Sequence, residues 1–480
     1  MIAAAVSPAG SVRAESPRVA LLSPYWSFWE HAAPAGLAAE RRAHASAAAA
    51  VLAGVADVVA DETLRSSAEG AAAGRRIAGL RPDALVVLQS MAVPPAYTLA
   101  ALEQLEGVPL VVCAVRPAAS APDMSHGGIT ADGATVGVPQ LTNVLTRRGR
   151  PYELVLWRVD ERAADAPLRG AVAAAAAAGR LRRASLARVG RPLDGYDCVD
   201  CDVDRLAAAT GLRLLDVAPA DVGGAYRAAA QPAIQAVERE VREQWDVSAE
   251  LDASGGFERT VRFAAALAEL SDRLAVDGGV MNCHVPEIRL GEEPGIAPCF
   301  ALGRETSHGR PWTCSGDVPT AVAMLTLKLL GAAALYHEIE TLDEATGEAL
   351  LANTGEHDLG FGDPALRPRL APNRWFDGCG GCAILSPPPG PATLVGFTEH
   401  PGEPSGFRYV VAEGAFSPRR QPETGTPNAA FRFARGDSVA DAWAAWVRSG
   451  VNHHSAATTG AYGDAVRAVA AHLGVGCVTV

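Results

Sequence analysis

No run of about 18 consecutive apolar residues occurs anywhere in the 480-residue chain, so no membrane-spanning helix is expected. A Lys/Arg-rich block is also missing, and the formal net charge is −12, which argues against nucleic acid as a partner. Aromatic residues make up only 6%, whereas alanine is abundant, as in the run from Ala171 to Ala178 broken only by Val172. Alanine of this kind favours close-packed helices over large aromatic cores. No Gly-x-Gly-x-x-Gly follows the first apolar run and no Gly-x-x-x-x-Gly-Lys occurs, so a generic nucleotide site is not expected. The first residues lack a basic region, and 1–17 reads as a disordered lead-in rather than a signal peptide. Nine scattered cysteines suit reduced thiols in a cytoplasm. Cys198-Val-Asp-Cys201 and Cys379-Gly-Gly-Cys382 have zinc-ligand spacing but lie too far apart for a ribbon-type site, and are read as buried or incidental thiols.

What is present is an α/β pattern followed by a β-rich one. The length exceeds one ordinary core, so two or three domains are expected. Val19 to Leu22, Ala84 to Leu88 and Leu110 to Ala114 are continuous apolar runs, as in parallel strands covered on both faces. With a helix between about Ala38 and Leu52, they predict a first doubly wound domain over 18–150. A second over 151–331 begins at Tyr152 to Trp157, continues through Ser185 to Val189 and Leu212 to Val217, and ends in a helix from Val318 to Leu330. From 332 to 480 Pro, Gly and β-alternating segments dominate. They predict a mostly antiparallel domain with a hairpin turn at Glu344 to Gly347 and closing helices over 438–447 and 463–473.

Chemistry-bearing residues concentrate at two places. One is Cys314-Ser315-Gly316-Asp317, followed by Glu338, Glu340 and Glu356-His357; the other is Asn452-His453-His454-Ser455. Carboxylates and imidazoles without a thiolate cluster suit Mn²⁺, Mg²⁺ or Zn²⁺. Glu338 and Glu340 alternate along one strand, which places both on one face. His357 lies just past the partner strand of that hairpin. Each also has an ordinary structural reading: a solvated acidic hairpin for the glutamates, a helix N-cap for Asp317, a loop for the histidines. The aromatic loop Tyr25 to Trp29 follows the first strand, where open α/β sheets place ligands, so Trp26 is a candidate for stacking on a sugar. Arg191 is a candidate for holding a substrate anion.

These segments resemble, in order and spacing, the L-fucose/L-arabinose isomerase family. The stretch Ala297 to Arg304 with Gly309 to Ala321 is similar to that family's lead into a Cys-Glu-x-Asp motif before a helix. His337-Glu-Ile-Glu-Thr-Leu-Asp-Glu344 is similar to its acidic strand, and Val451-Asn-His-His-Ser455 with Tyr462-Gly-Asp464 to its C-terminal metal-histidine segment. Gly137-Val-Pro-Gln140 and Gly190 to Gly195 are weaker echoes.

The resemblance implies two Rossmann-like domains, a C-terminal β-barrel domain, and a homo-oligomer, trimer or hexamer, with the site near a subunit interface. It implies an Mn²⁺-dependent aldose–ketose isomerase of carbohydrate metabolism acting on a sugar or sugar acid through an enediolate. Matched by position, Glu338 is ligand and acid/base, with Glu340 as the alternative register. His454 or His453 is the metal histidine, and Asp317 the motif's aspartate and second catalytic candidate. Asn452 and Ser315 fall beside substrate. Two departures stand out. Ser315 occupies the place of the family's first catalytic glutamate, and serine is neither a good metal ligand nor a base near pH 7. One register also puts Asn353, not His357, at the hairpin histidine. With Ser315 neutral, the same metal site could serve epimerisation or C–C cleavage of a keto-sugar acid, or only bind carbohydrate.

Overall fold

The computed structural model describes residues 16–33, 35–116, 125–289, 293–352, 356–374, 380–418 and 428–480. Most of the expected lead-in, Asn353 and Cys379 lie outside the described residues. No helix among them is long and apolar enough to cross a membrane. The fold is mixed α/β and divides into two compact units. One runs up to Arg180 and includes Ala468–Gly474; the other holds Leu181–Arg467 and Val475–Val480.

The first unit is built on β1 (Arg18–Pro24), β2 (Asp57–Leu64), β3 (Ala84–Gln89), β4 (Leu110–Arg116) and β5 (Glu153–Arg158). Their order is β2-β1-β3-β4-β5 and every neighbour is parallel. Alternation along the strands explains the apolar runs. Val19 and Leu21 join a core with the helices Leu37–Leu52 and Asp165–Leu181, while Ala20 and Leu22 face one with Ser67–Leu80 and Ala134–Arg147. Small residues let the helices lie close to the sheet. The strand at 153–158, expected to open a second domain, instead completes this sheet beside β4. The division between units accordingly falls after Arg180 rather than at 150.

The second unit begins with β6 (Ser185–Val189), β7 (Arg213–Val217), the short β8 (Asp246–Val247), β9 (Gly278–Met281) and β10 (Trp312–Thr313). Four of these form a parallel sheet, order β10-β9-β6-β7. The same unit continues into β11 (Leu335–Asp343), β12 (Glu348–Ala352), β13 (Arg369–Pro372), β14 (Gly381–Ile384), β15 (Gly390–Glu399), β16 (Phe407–Phe416), β17 (Asn428–Phe433), β18 (His454–Thr459) and β19 (Gly476–Thr479). No break in compactness therefore falls at 331. Antiparallel pairing in the order β15-β18-β11-β12-β17-β16, with β15 also bonded to β16, closes a six-stranded barrel, and β19 adds in parallel to β16. Its core is apolar, with Leu335, Leu351, Leu394, Val410, Phe431 and Ala457 buried together. Closure satisfies the strand edges that an open sheet would leave unpaired. The expected hairpin turn joins β11 to β12, and Ser438 caps the helix Val439–Arg448 through the Asp441 amide.

Two features position the chemistry. The helix Val318–Leu329 follows β10 after the loop Cys314–Asp317 and is capped by Asp317, whose carboxylate accepts from the Thr320 amide. Strand β18 pairs antiparallel with β11, so that Glu338 stands opposite His454 and Tyr336 opposite Ala456.

Candidate acid-base and metal site

The cross-strand pairing of Glu338 with His454 puts both side chains on one face of the barrel wall. Tyr336, two residues before Glu338, shares that face. Asp317 comes to the same point from the N-terminus of its helix. The result is a chain of contacts centred on His454. Its Nδ1 lies 2.9 Å from Asp317 Oδ2 and 2.5 Å from the Tyr336 hydroxyl, and its Nε2 lies 3.3 Å from Glu338 Oε1. Asp317 Oδ2 also accepts from Asn452 Nδ2 at 3.1 Å and from the Tyr336 hydroxyl at 3.3 Å.

Burial grades across the cluster. Asp317 has no exposed side-chain surface and His454 has 5%, whereas Glu338 keeps 38%. Glu338 is thus the carboxylate that solvent or a ligand can reach. Burial alone would discharge His454, but hydrogen bonds to Asp317 and Glu338 outweigh it and raise its pKa to about 9. For Glu338, burial works upward, and the hydrogen bond and charge of His454 overcome it and hold the carboxyl below its ordinary range. Burial raises the Tyr336 phenol, with the Asp317 charge adding to it, so it remains a neutral hydroxyl.

His453 lies beside this chain, its ring centroid 3.8 Å from that of His454. Its Nε2 is 2.8 Å from the Tyr196 hydroxyl, and its Nδ1 is 2.6 Å from Asn452 Oδ1 and 3.7 Å from Cys198 Sγ. Partial desolvation, then the neighbouring charge of His454, lowers its pKa, so His453 is the neutral imidazole of the pair.

Of the residues singled out in the sequence, Asp317, Glu338, Asn452, His453 and His454 come together. Ser315 lies next to them in the chain, but its hydroxyl faces Cys314 Sγ at 3.8 Å and it takes a left-handed φ of 56°. The following Gly316, at φ 75°, could not carry a side chain without pressing on Pro192. Glu340 departs from simple alternation. The β11–β12 register slips between Ile339 and Thr341, leaving Glu340 as an exposed bulge residue. It stays within electrostatic reach, because burial and the Glu338 charge both raise its pKa. His357 is not brought in. It bridges to Leu335, on the face opposite Tyr336, and is wholly buried with neither ring nitrogen hydrogen-bonded among the described residues. Burial alone lowers it to about 3, so it is a neutral core imidazole. Trp26 belongs to the first unit, where it stacks on Phe28 with centroids 4.6 Å apart. Arg191 follows β6 with its guanidinium 68% exposed and 4.0 Å from Asp216.

Sequence reasoning missed Tyr336, Tyr196 and Cys198. The position of Tyr336 two residues before Glu338 was a usable signal; nothing local links Tyr196 or Cys198 to the histidines.

Two donor atoms here have the spacing that ligands of one divalent ion would have. Ligands of one ion at about 2.1 Å lie roughly 3.0–3.4 Å apart across octahedral or tetrahedral angles, and His454 Nε2 and Glu338 Oε1 have that spacing. A metal-bound histidine commonly donates its other N–H to a carboxylate, as Nδ1 faces Asp317 here. Among the described residues, no group of three or more His, Cys, Asp or Glu side chains is arranged to hold an ion. No protein-family model matches the chain, and no curated protein matches it at a significant level.

Proposed function

We propose that the chain is a metal-assisted, isomerase-like enzyme that moves protons on a sugar or sugar acid through an enediolate. The observation that supports this best is the span of His454 between Asp317 and Glu338, one ring nitrogen to each. In this reading Glu338 and His454 Nε2 would hold the ion, Mn²⁺ first among the candidates. When bound, the ion supplies Lewis acidity that acidifies the carbon beside a carbonyl.

The chain's own residues do the rest. Asp317 and Tyr336 hold His454 in one orientation from its Nδ1 side, leaving Nε2 toward the substrate space. Glu338, partly exposed, takes the proton from carbon and returns it. His453 is neutral and hydrogen-bonded to Tyr196, and it moves the second proton between substrate oxygens in place of the carboxylate absent at Ser315. Asn452 anchors Asp317 and adds a donor and an acceptor at the rim. The parallel sheets correspond, in the same reading, to the Rossmann-like layers of the L-fucose/L-arabinose isomerase scaffold, with a neighbouring subunit of a homo-oligomer helping to close the site.

A second reading keeps the site and changes the outcome. Within the Asp317–His454–Glu338 chain, Glu338 alone presents a carboxylate to solvent, which favours epimerisation or retro-aldol cleavage, where fewer protons are exchanged. Incubating the purified protein with Mn²⁺ and a panel of aldoses, ketoses and sugar acids separates the two by product NMR. Aldose–ketose interconversion supports the first, and epimers or cleaved fragments support the second. Binding of a sugar with no bond changed anywhere in the panel contradicts both and leaves a carbohydrate-binding protein.

A further inference from the structure

Cys283 and Cys314 end adjacent parallel strands and meet in the interior. Cys283 lies two residues beyond β9 and Cys314 directly follows β10, and those strands pair through Trp312–Gly279 and Thr313–Val280. Their sulfurs are 2.6 Å apart, and both residues are buried, with relative exposures of 1% and 6%. The other cysteines among the described residues are Cys113, Cys198, Cys201, Cys299, Cys382 and Cys477.

We propose that Cys283 and Cys314 are a redox pair, closed to a disulfide by a small peroxide and reopened by a dithiol. The pairing needs no rearrangement of the sheet, because neighbouring parallel strands already bring the two residues together. Burial favours a small oxidant such as hydrogen peroxide, and a dithiol reaches the bond only in a transiently opened form. The attacking sulfur is Cys283. The contact with Cys314 first, and hydrogen bonds from the His284 side chain and the Ser315 amide, favour its thiolate and lower its pKa against the opposing effect of burial.

The chemistry balances in two steps. The Cys283 thiolate attacks one peroxide oxygen; an S–O bond forms, the O–O bond breaks, and hydroxide leaves to be protonated to water. The Cys314 sulfur then attacks the Cys283 sulfenic acid; the S–S bond forms, the S–O bond breaks, and the hydroxyl leaves as water with the proton of the Cys314 thiol. Two thiols and one hydrogen peroxide become one disulfide and two waters. A dithiol reverses the bond by exchange and is itself oxidised.

The consequence reaches the cluster around His454 through the chain. A disulfide ties Cys314 to the end of β9, and Ser315, Gly316 and Asp317 follow it directly. Oxidation therefore stiffens the loop that presents the Asp317 carboxylate, whatever reaction the site performs. This inference does not depend on the isomerase reading.

The test is peptide mapping of the full chain. Protein treated with hydrogen peroxide is quenched, alkylated under denaturing conditions and digested without reductant. The expected result is a peptide pair linked through Cys283 and Cys314, lighter by two hydrogens and released by dithiothreitol, while Cys113 is alkylated. In Cys314→Ser, Cys283 is expected to stop at a sulfenic acid trapped by dimedone present during denaturation; in Cys283→Ser, Cys314 is expected to be alkylated in full. Alkylation of both thiols in treated wild type, linkage of either to another cysteine, or irreversible oxidation alone overturns the proposal. Wild-type mapping decides it even where a serine variant does not fold.

Discussion

His454 Nδ1 lies 2.9 Å from Oδ2 of Asp317, a carboxylate with no exposed side-chain surface. A buried charge pair of this kind owes its persistence to the surrounding donors. Asp317 also accepts from the Thr320 amide and hydroxyl, each at 2.9 Å, and from Asn452. The carboxylate thus caps a helix and orients an imidazole at the same time.

Removing that carboxylate separates the two roles. Asp317→Ala leaves a buried imidazolium with its main counter-charge gone and the helix uncapped, and is expected to destabilise this unit by about 3–5 kcal/mol. Asp317→Asn keeps an acceptor for the Thr320 amide and is expected to cost less while lowering the pKa of His454. Denaturant unfolding and histidine NMR titration measure the two effects.

Metal-free protein is expected to show a pH optimum for stability set by the same pair. The pKa of His454 is raised from 6.5 to about 9, so its contribution is complete below 6.5 and is lost as pH rises through about 9. The pKa of Glu338 is held below its ordinary 4.5, so its side of the pair is present above 4.5 and lost as pH falls further. Full stabilisation lies between these limits. With a chelator present, unfolding compared at about pH 5.5 and about pH 9.5 should show a loss in wild type that His454→Gln lacks. Equal losses in both proteins would remove His454 as the cause.

Tyr336→Phe deletes a buried hydroxyl shared by Asp317 and His454 and nothing else in volume. It is expected to cost about 1–2 kcal/mol. If Tyr336 orients the ring, Mn²⁺ affinity measured by calorimetry should also fall; unchanged affinity would confine Tyr336 to a packing role.

Ser315→Glu restores the carboxylate that the family resemblance expects. It is expected to tighten Mn²⁺ binding by about tenfold or more and to create or raise isomerase activity. Because Ser315 has a left-handed φ of 56°, the variant should also be less stable than Ser315→Gly, which relieves the strain of a side chain there. Failure to improve metal binding in a folded variant would mean that this loop is not directed at the Glu338–His454 donors.

Much of the fold was legible because its signals are local. The runs at 19–22, 84–88 and 110–114 report burial on two faces, and Ser438 and Asp317 mark helix starts by side chain alone. Strand β18 was not legible. His454 to Thr459 carries small residues without alternating large ones, and it is a strand because β11 and β15 flank it. The β5 segment reads as a strand correctly, but membership in a sheet is a long-range fact. In the site, residue types identified Asp317, Glu338 and the histidine pair. The bulge at Glu340 and the inward turn of His357 depend on register, which a one-residue slip reverses.

The most direct measurement is the rate at which solvent deuterium enters the carbon beside the carbonyl of a bound sugar, read by NMR in D₂O with Mn²⁺ present. Wild type is expected to exchange that position in a member of the aldose, ketose and sugar-acid panel, and folded Glu338→Gln to exchange it at least about 100-fold more slowly. Exchange that survives unchanged in Glu338→Gln, or no exchange with any member of the panel, would contradict the assignment of Glu338 as the group that takes the proton from carbon.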